Sequence, residues 1–178
     1  MKIIKNKTIV EDDWCVLRLN EQETAENVSV AKGKMIVPLK VWLAQRDTLQ
    51  QRSDLGVWLN SDERPEALQD DLRKFSVIAV DFPKFADGRG YSIAYNLRVH
   101  LGYTGELRAI GDVLRDQLFY MQRVGFDAFA PRPDRNIQDA LKGFSDFSEV
   151  YQMSYDQKLP LFRRIQRKGR LATGSVNE

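Results

Sequence analysis

The sequence predicts an α/β protein made of repeated βαβ units, with a mainly parallel sheet and an N-terminal β-hairpin. Three observations carry this. Short apolar runs at Leu55–Leu59, Val77–Val80, Leu107–Ile110 and Phe126–Ala130 alternate with stretches whose apolar residues fall at helical spacing. The runs are apolar at successive positions, as in strands covered on both faces. The stretches between them are long enough for right-handed crossovers. Four such units fit either a three-layer open sheet or a half-barrel-like sheet.

The elements follow in chain order. Lys2–Val10 alternates, and Asn6-Lys7 between two β-branched runs reads as a hairpin turn, with a further strand over Trp14–Leu19. Pro38 suits the first turn of a helix carrying Leu39, Trp42, Leu43, Arg46 and Leu49. After the first strand, Pro65 opens a helix with the stripe Leu68, Leu72 and Phe75. Ser92 is the expected cap of the next helix, with Ile93, Leu97 and Leu101 inward. Asp112 is the expected cap of a third, through Leu114, Leu118 and Met121, ended by Gly125. Asp134 is the expected cap of a fourth, through Ile137, Leu141 and Phe144. Residues 1–151 are expected to form one domain and 152–178 a basic tail, mobile at its end.

Composition excludes several functions. The chain has 178 residues and a net charge of +2, so no strong field draws it to nucleic acid or membrane. Arg163, Arg164, Arg167, Lys168 and Arg170 make the tail basic, but Phe162 is the only aromatic interleaved, and a solvated tail is the expected reading. No apolar run approaches the roughly 20 residues a membrane helix needs. The first residues form no secretory signal, so the cytoplasm is the expected compartment. Cys15 is the only cysteine and His100 the only histidine, so a four-thiolate iron–sulfur site and zinc sites built from several Cys and His ligands are out. Cys15, in an apolar context, is expected to be a small packing residue, and His100 an ordinary surface histidine. No cofactor and no metal is expected.

The richest candidate site is Asp81–Ser92, DFPKFADGRGYS, after the second strand. Ligands of parallel sheets bind on the loops that follow the strands. Gly88 and Gly90 permit close approach, Arg89 offers a fork of donors, and Ser92 with free helix-start amides could complete an oxyanion cradle. Neither GxxxxGK[ST] nor GxGxxG is present, since Ile93 stands where the third glycine would be. A plain turn, with Asp87 bonding its own backbone, is the competing reading. Arg108, inside an apolar strand, must be paired, with Asp81, Asp87, Asp112 and Asp116 as candidates. Asp112 and Asp116 are expected to share a helix face. Arg98, Arg115 and Arg123 read as surface or partner-facing charges. The ligand-binding candidates are therefore Asp87, Gly88, Arg89, Gly90, Ser92, Arg108, Asp112 and Asp116. Asp87 and Asp112 are the acid–base candidates.

FPKFADGRGYS, RAIGDVLRDQ and GFDAF, in that order, resemble the signature of a bacterial family, domain of unknown function 934, over roughly Ile3 to Pro131. The motif positions carried over are Asp87, Gly88, Arg89, Gly90, Tyr91, Ser92, Arg108, Asp112, Asp116 and Gln117. The resemblance implies a role in sulfite reduction. That reduction needs redox cofactors, which one cysteine and no dinucleotide fingerprint do not supply. An accessory protein of sulfite reduction or sulfate assimilation is therefore expected, partnered by sulfite reductase or another sulfur-assimilation protein. The alternatives are a small enzyme acting on an anionic metabolite through the DGRG loop, and a homo-oligomeric scaffold.

Overall fold

The structure, a computed structural model, describes residues 1–145 and 150–164. Eight strands form one sheet: β1 (Lys2–Lys5), β2 (Thr8–Glu11), β3 (Cys15–Val16), β4 (Met35–Pro38), β5 (Leu55–Leu59), β6 (Val77–Phe82), β7 (Glu106–Gly111) and β8 (Ala128–Phe129). Their order is β2-β1-β8-β7-β6-β5-β4-β3. From β3 to β8 every neighbour is parallel, while β1 pairs antiparallel with both β2 and β8. Asn6 and Lys7 both take positive φ, 49° and 61°, as the tight hairpin predicts.

Six parallel strands lying side by side in chain order, with right-handed crossovers, place every connection on one face. That is the half-barrel arrangement rather than the three-layer open sheet. Among the described residues the α-helices are α1 (Leu39–Ala44), α2 (Arg46–Leu49), α3 (Arg89–Tyr95), α4 (Arg115–Val124), α5 (Ile137–Lys142) and α6 (Leu161–Arg164). The edges of the sheet show how far it curls. β2 ends at Glu11 and β3, at the opposite edge, begins at Cys15. Seven strand spacings would separate the edges of a flat sheet by about 34 Å. Four residues of chain span at most about 14 Å. The sheet therefore bends until its edges approach, with residues 12–14 joining them.

Alternate residues serve the two faces. Leu55, Val57, Leu59, Ile78, Val80, Phe82, Leu107 and Ala109 belong to the large core beneath the helices. Ile36, Trp58, Val77, Ala79 and Ile110 form a smaller cluster on the inner face of the curl, with Trp14 and Val16 against it.

Several local expectations change. The stretch from Pro65 forms two 3₁₀ turns, Pro65–Leu68 and Leu72–Lys74, not one helix. Between them Asp71 is buried and accepts from Trp42 Nε1, Arg46 and Lys74 at 2.9, 2.7 and 2.8 Å. α3 starts at Arg89, so Ser92 lies inside the helix and caps nothing. Asp112 does not cap α4; Gln117 turns back and accepts the Leu114 N–H at 3.1 Å. Asn136, not Asp134, caps α5 by accepting from Gln138 and Asp139. Gly125 ends α4 at φ 116°, as expected. Cys15 is exposed on the edge strand, not packed inside. Tyr155 and Asp156 both donate their N–H to the Arg123 carbonyl, which fastens that part of the C-terminal segment to α4. Arg167, Lys168 and Arg170 lie outside the described residues.

Candidate functional site at the carboxyl end of the parallel strands

The loop after β6 is held by a short set of contacts. Phe85 donates its N–H to Asp112 Oδ2 at 2.8 Å, and its carbonyl accepts Gln117 Nε2 at 2.9 Å. Both backbone groups of one loop residue are thus fixed by side chains of the next βα unit. Its ring is left 48% exposed. Two residues on, Arg89 grips Asp87 with Nε at 2.9 Å and Nη2 at 2.7 Å, and its N–H adds a third contact at 3.2 Å. Hydrogen bonds from Arg89, and next from the Ser61 side chain, hold the Asp87 carboxyl well below the usual carboxylate range. Asp87 is therefore ionised and already engaged, a poor general base at neutral pH.

The glycines act in packing. A Cβ on Gly90 would stand 2.6 Å from the Phe82 ring, so its absence lets α3 close on β6. Gly88 has open space around it and precedes the first residue of α3. Ser92 is exposed on that helix.

The other predicted residues divide. Asp112 joins this loop and also accepts Arg132 Nη1 at 3.1 Å. Asp116 is exposed and lines a cavity of about 530 Å³ with Leu114, Arg115, Asp134, Arg135 and Asp139. Asp112 and Asp116 share no helix face, because α4 begins between them. Arg108 stands apart from the loop. Its partners are Asp12, at 2.8 and 3.0 Å, and Glu106, at 2.7 Å, none of the four aspartates expected. Lys5 completes the group at 2.7 Å from Glu106.

Sequence reasoning also missed residues. Arg98 is buried, not a surface charge: it donates to the carbonyls of Gly125, Tyr103 and Gly105 and to Asp127 at 2.8–2.9 Å. The aspartate inside the apolar run GFDAF was the signal that a cation had to arrive there. Arg123 is mostly covered and donates to the Gln152 carbonyl. Asp81 pairs with Arg18 at 2.6 and 3.3 Å, and the Arg18 guanidinium lies 5.1 Å from the centre of the Trp58 ring. On the loop after β5, burial pushes the Glu63 carboxyl up, opposite to Asp87. His100 is exposed, with Tyr95 edge-on beside it.

Among the described residues, no group of three or more His, Cys, Asp or Glu side chains is placed to hold a metal ion. No helix among them is long and apolar enough to cross a membrane.

The fold defines an α/β protein built on a single strongly curled, mainly parallel sheet with paired charges at its strand ends. Residues 56–162, more than half of the chain, match the bacterial protein of unknown function family, domain of unknown function 934, and the chain belongs to that family. The match starts at β5, so it leaves out the N-terminal hairpin, and it reaches into α6, beyond the limits the motifs suggested. No curated protein and no solved structure shows a significant match.

Proposed function

We propose that this chain is an accessory protein of bacterial assimilatory sulfite reduction, acting without a redox cofactor of its own by docking on sulfite reductase or another sulfur-assimilation protein in the cytoplasm. The sulfur assignment rests on the resemblance of FPKFADGRGYS, RAIGDVLRDQ and GFDAF to the family signature. The accessory role rests on one observation at the strand ends. Arg89, Arg18 and Arg132 are each gripped by carboxylates of the same chain, so the loop offers no open cradle for an oxyanion. What it offers outward is Phe85, an exposed ring on a peptide clamped at both its N–H and its C=O. Preorganised aromatic anchors of that kind suit protein docking.

The test is growth of a deletion strain on sulfate, sulfite, sulfide or cysteine as sole sulfur source. Failure on sulfate and sulfite with rescue by sulfide supports the reading. Normal growth on all four refutes it.

The second reading, an enzyme on an anionic metabolite, is favoured by the half-buried Glu63, whose carboxyl is pushed up by burial, as a general acid needs, on the loop beside the one that carries Asp87 and Arg89. It requires Arg89 to release Asp87 when substrate binds. An Arg89→Ala variant that keeps full activity in cells removes it.

A further inference from the structure

At the carboxyl end of the inner face, Trp58 of β5 and Asp81 of β6 stand on adjacent strands. Asp81 is 6% exposed, a carboxylate at the end of the sheet where parallel folds bind ligands. Room for it is made by Gly111, since a Cβ there would come within 2.7 Å of Asp81 Oδ1. An aromatic face beside a nearly buried carboxylate is the chemistry that recognises a planar cation. A guanidinium occupies it already. Arg18 binds both carboxylate oxygens and lies over the indole, while its own side chain stays 51% exposed.

Arg18 comes from outside the matched region 56–162, whereas Trp58 and Asp81 lie within it. The chain around Arg18, residues 17–34, forms no helix or strand. Beside the site Leu17 is fixed on both sides of its peptide, its N–H to the Ile36 carbonyl and its carbonyl to Trp58 Nε1, both at 2.9 Å, so it is the Arg18 side chain that can move. A cation receptor built into the sheet is thus filled by a side chain on an irregular arm.

We propose that Trp58 and Asp81 form a receptor for a guanidinium group, with Arg18 as its tethered resident, and that a guanidinium from outside the chain exchanges with it. Arg18 then acts as an internal competitor that keeps the site closed until a stronger or more concentrated ligand arrives. This inference does not depend on the sulfur assignment.

The probe is L-argininamide, titrated into the full chain and into Arg18→Ala and Arg18→Gln, with tryptophan fluorescence as readout and Trp58→Phe to assign the signal. Either arginine variant should saturate at a concentration at least about tenfold below the wild type, which must first lose a tethered competitor. Citrulline amide, the neutral isostere, should give no response, and adding Asp81→Asn should abolish binding. In the wild type, the Arg18 Nε–H resonance should move towards its free position as the probe is added. Tighter saturation by argininamide than by a blocked arginine-containing pentapeptide assigns the site to a free metabolite, and the reverse order assigns it to a peptide. A folded variant with no saturable response, an equal response to citrulline amide, or an Arg18 resonance unmoved by high probe concentration overturns the proposal.

Discussion

Arg108→Met puts the inner-face ion cluster to its hardest test. Arg108 is 1% exposed, and the side chains it serves, Asp12 and Glu106, are 3% and 7% exposed. Removing the guanidinium leaves Asp12 without its two side-chain contacts at 2.8 and 3.0 Å. Glu106 keeps Lys5 at 2.7 Å. Breaking a buried pair from one side costs about 3–5 kcal/mol, because the surviving charge stays out of water unpaired. The remaining Lys5 contact places this case in the lower half of that range. Against a typical domain stability of about 5–15 kcal/mol, the loss is large. Urea unfolding followed by tryptophan fluorescence measures it.

The location adds a second readout. Asp12 sits in the short link that joins the two sheet edges, and its N–H donates to the Met1 carbonyl at 2.6 Å. Exchange of that amide should accelerate more than exchange in β6, since the link loosens before the sheet does. A triple variant, Arg108→Met with Asp12→Leu and Glu106→Met, removes all three charges and should recover most of the loss, because apolar replacements of buried ion groups are often neutral or better. Lys5, 44% exposed, can turn to water. A single variant that loses less than about 1 kcal/mol, or a triple no more stable than the single, refutes the reasoning.

Gly90→Ala gains helix propensity but drives a methyl into the buried Phe82 ring, so a net loss of about 1–2 kcal/mol is expected by calorimetry, and stabilisation would falsify the packing role. Burial pushes the Asp71 carboxyl up, but hydrogen bonds from Lys74, Arg46 and Trp42 outweigh it, and its pKa lies below the ordinary carboxylate value. The stability it adds is therefore complete above the unfolded carboxylate range and is lost as pH falls through its own lower pKa. Asp71→Asn should narrow its deficit against the wild type in acid unfolding below about pH 4, and a deficit constant with pH speaks against the pairing. Gln117→Ala frees the Phe85 carbonyl and the Leu114 N–H and should cost about 1–2 kcal/mol, with faster exchange of the Phe85 amide. Unchanged exchange there means that the clamp does not hold the loop.

The parts of the fold that were legible in the sequence are those set by neighbours in the chain. Asn6-Lys7 between β-branched runs fixed the hairpin, and LGVWL marked β5 to the residue. The partners of Arg108 were not legible. Asp12 lies 96 positions away, and only the curl of the sheet, itself a consequence of strand order, brings the two together. Arg98 was misread for a related reason: its four acceptors are mostly backbone carbonyls on two later segments, and carbonyls leave no mark in residue types. The helix caps failed where a side chain had a better partner, as with Asp112 on Phe85 and Asp134 on Arg132.

The same accounting changes the meaning of DFPKFADGRGYS. Gly90 makes room for Phe82, Arg89 and Ser61 hold Asp87, and Asp112 with Gln117 hold the Phe85 peptide. Almost every polar group that looked available for a ligand is consumed in stiffening the loop, and the Phe85 ring remains outside. Stiffness with an exposed aromatic at its tip is of little use to an isolated chain. Phe85→Ala should therefore leave stability within about 0.5 kcal/mol, as for surface substitutions clear of core features. If Phe85 anchors the partner, its truncation costs about 2 kcal/mol of binding, close to thirtyfold in affinity. Complementation of the deletion strain on sulfate reads this directly: Phe85→Ala should restore growth poorly at a protein level equal to wild type. Full restoration at that level removes Phe85 from the docking surface.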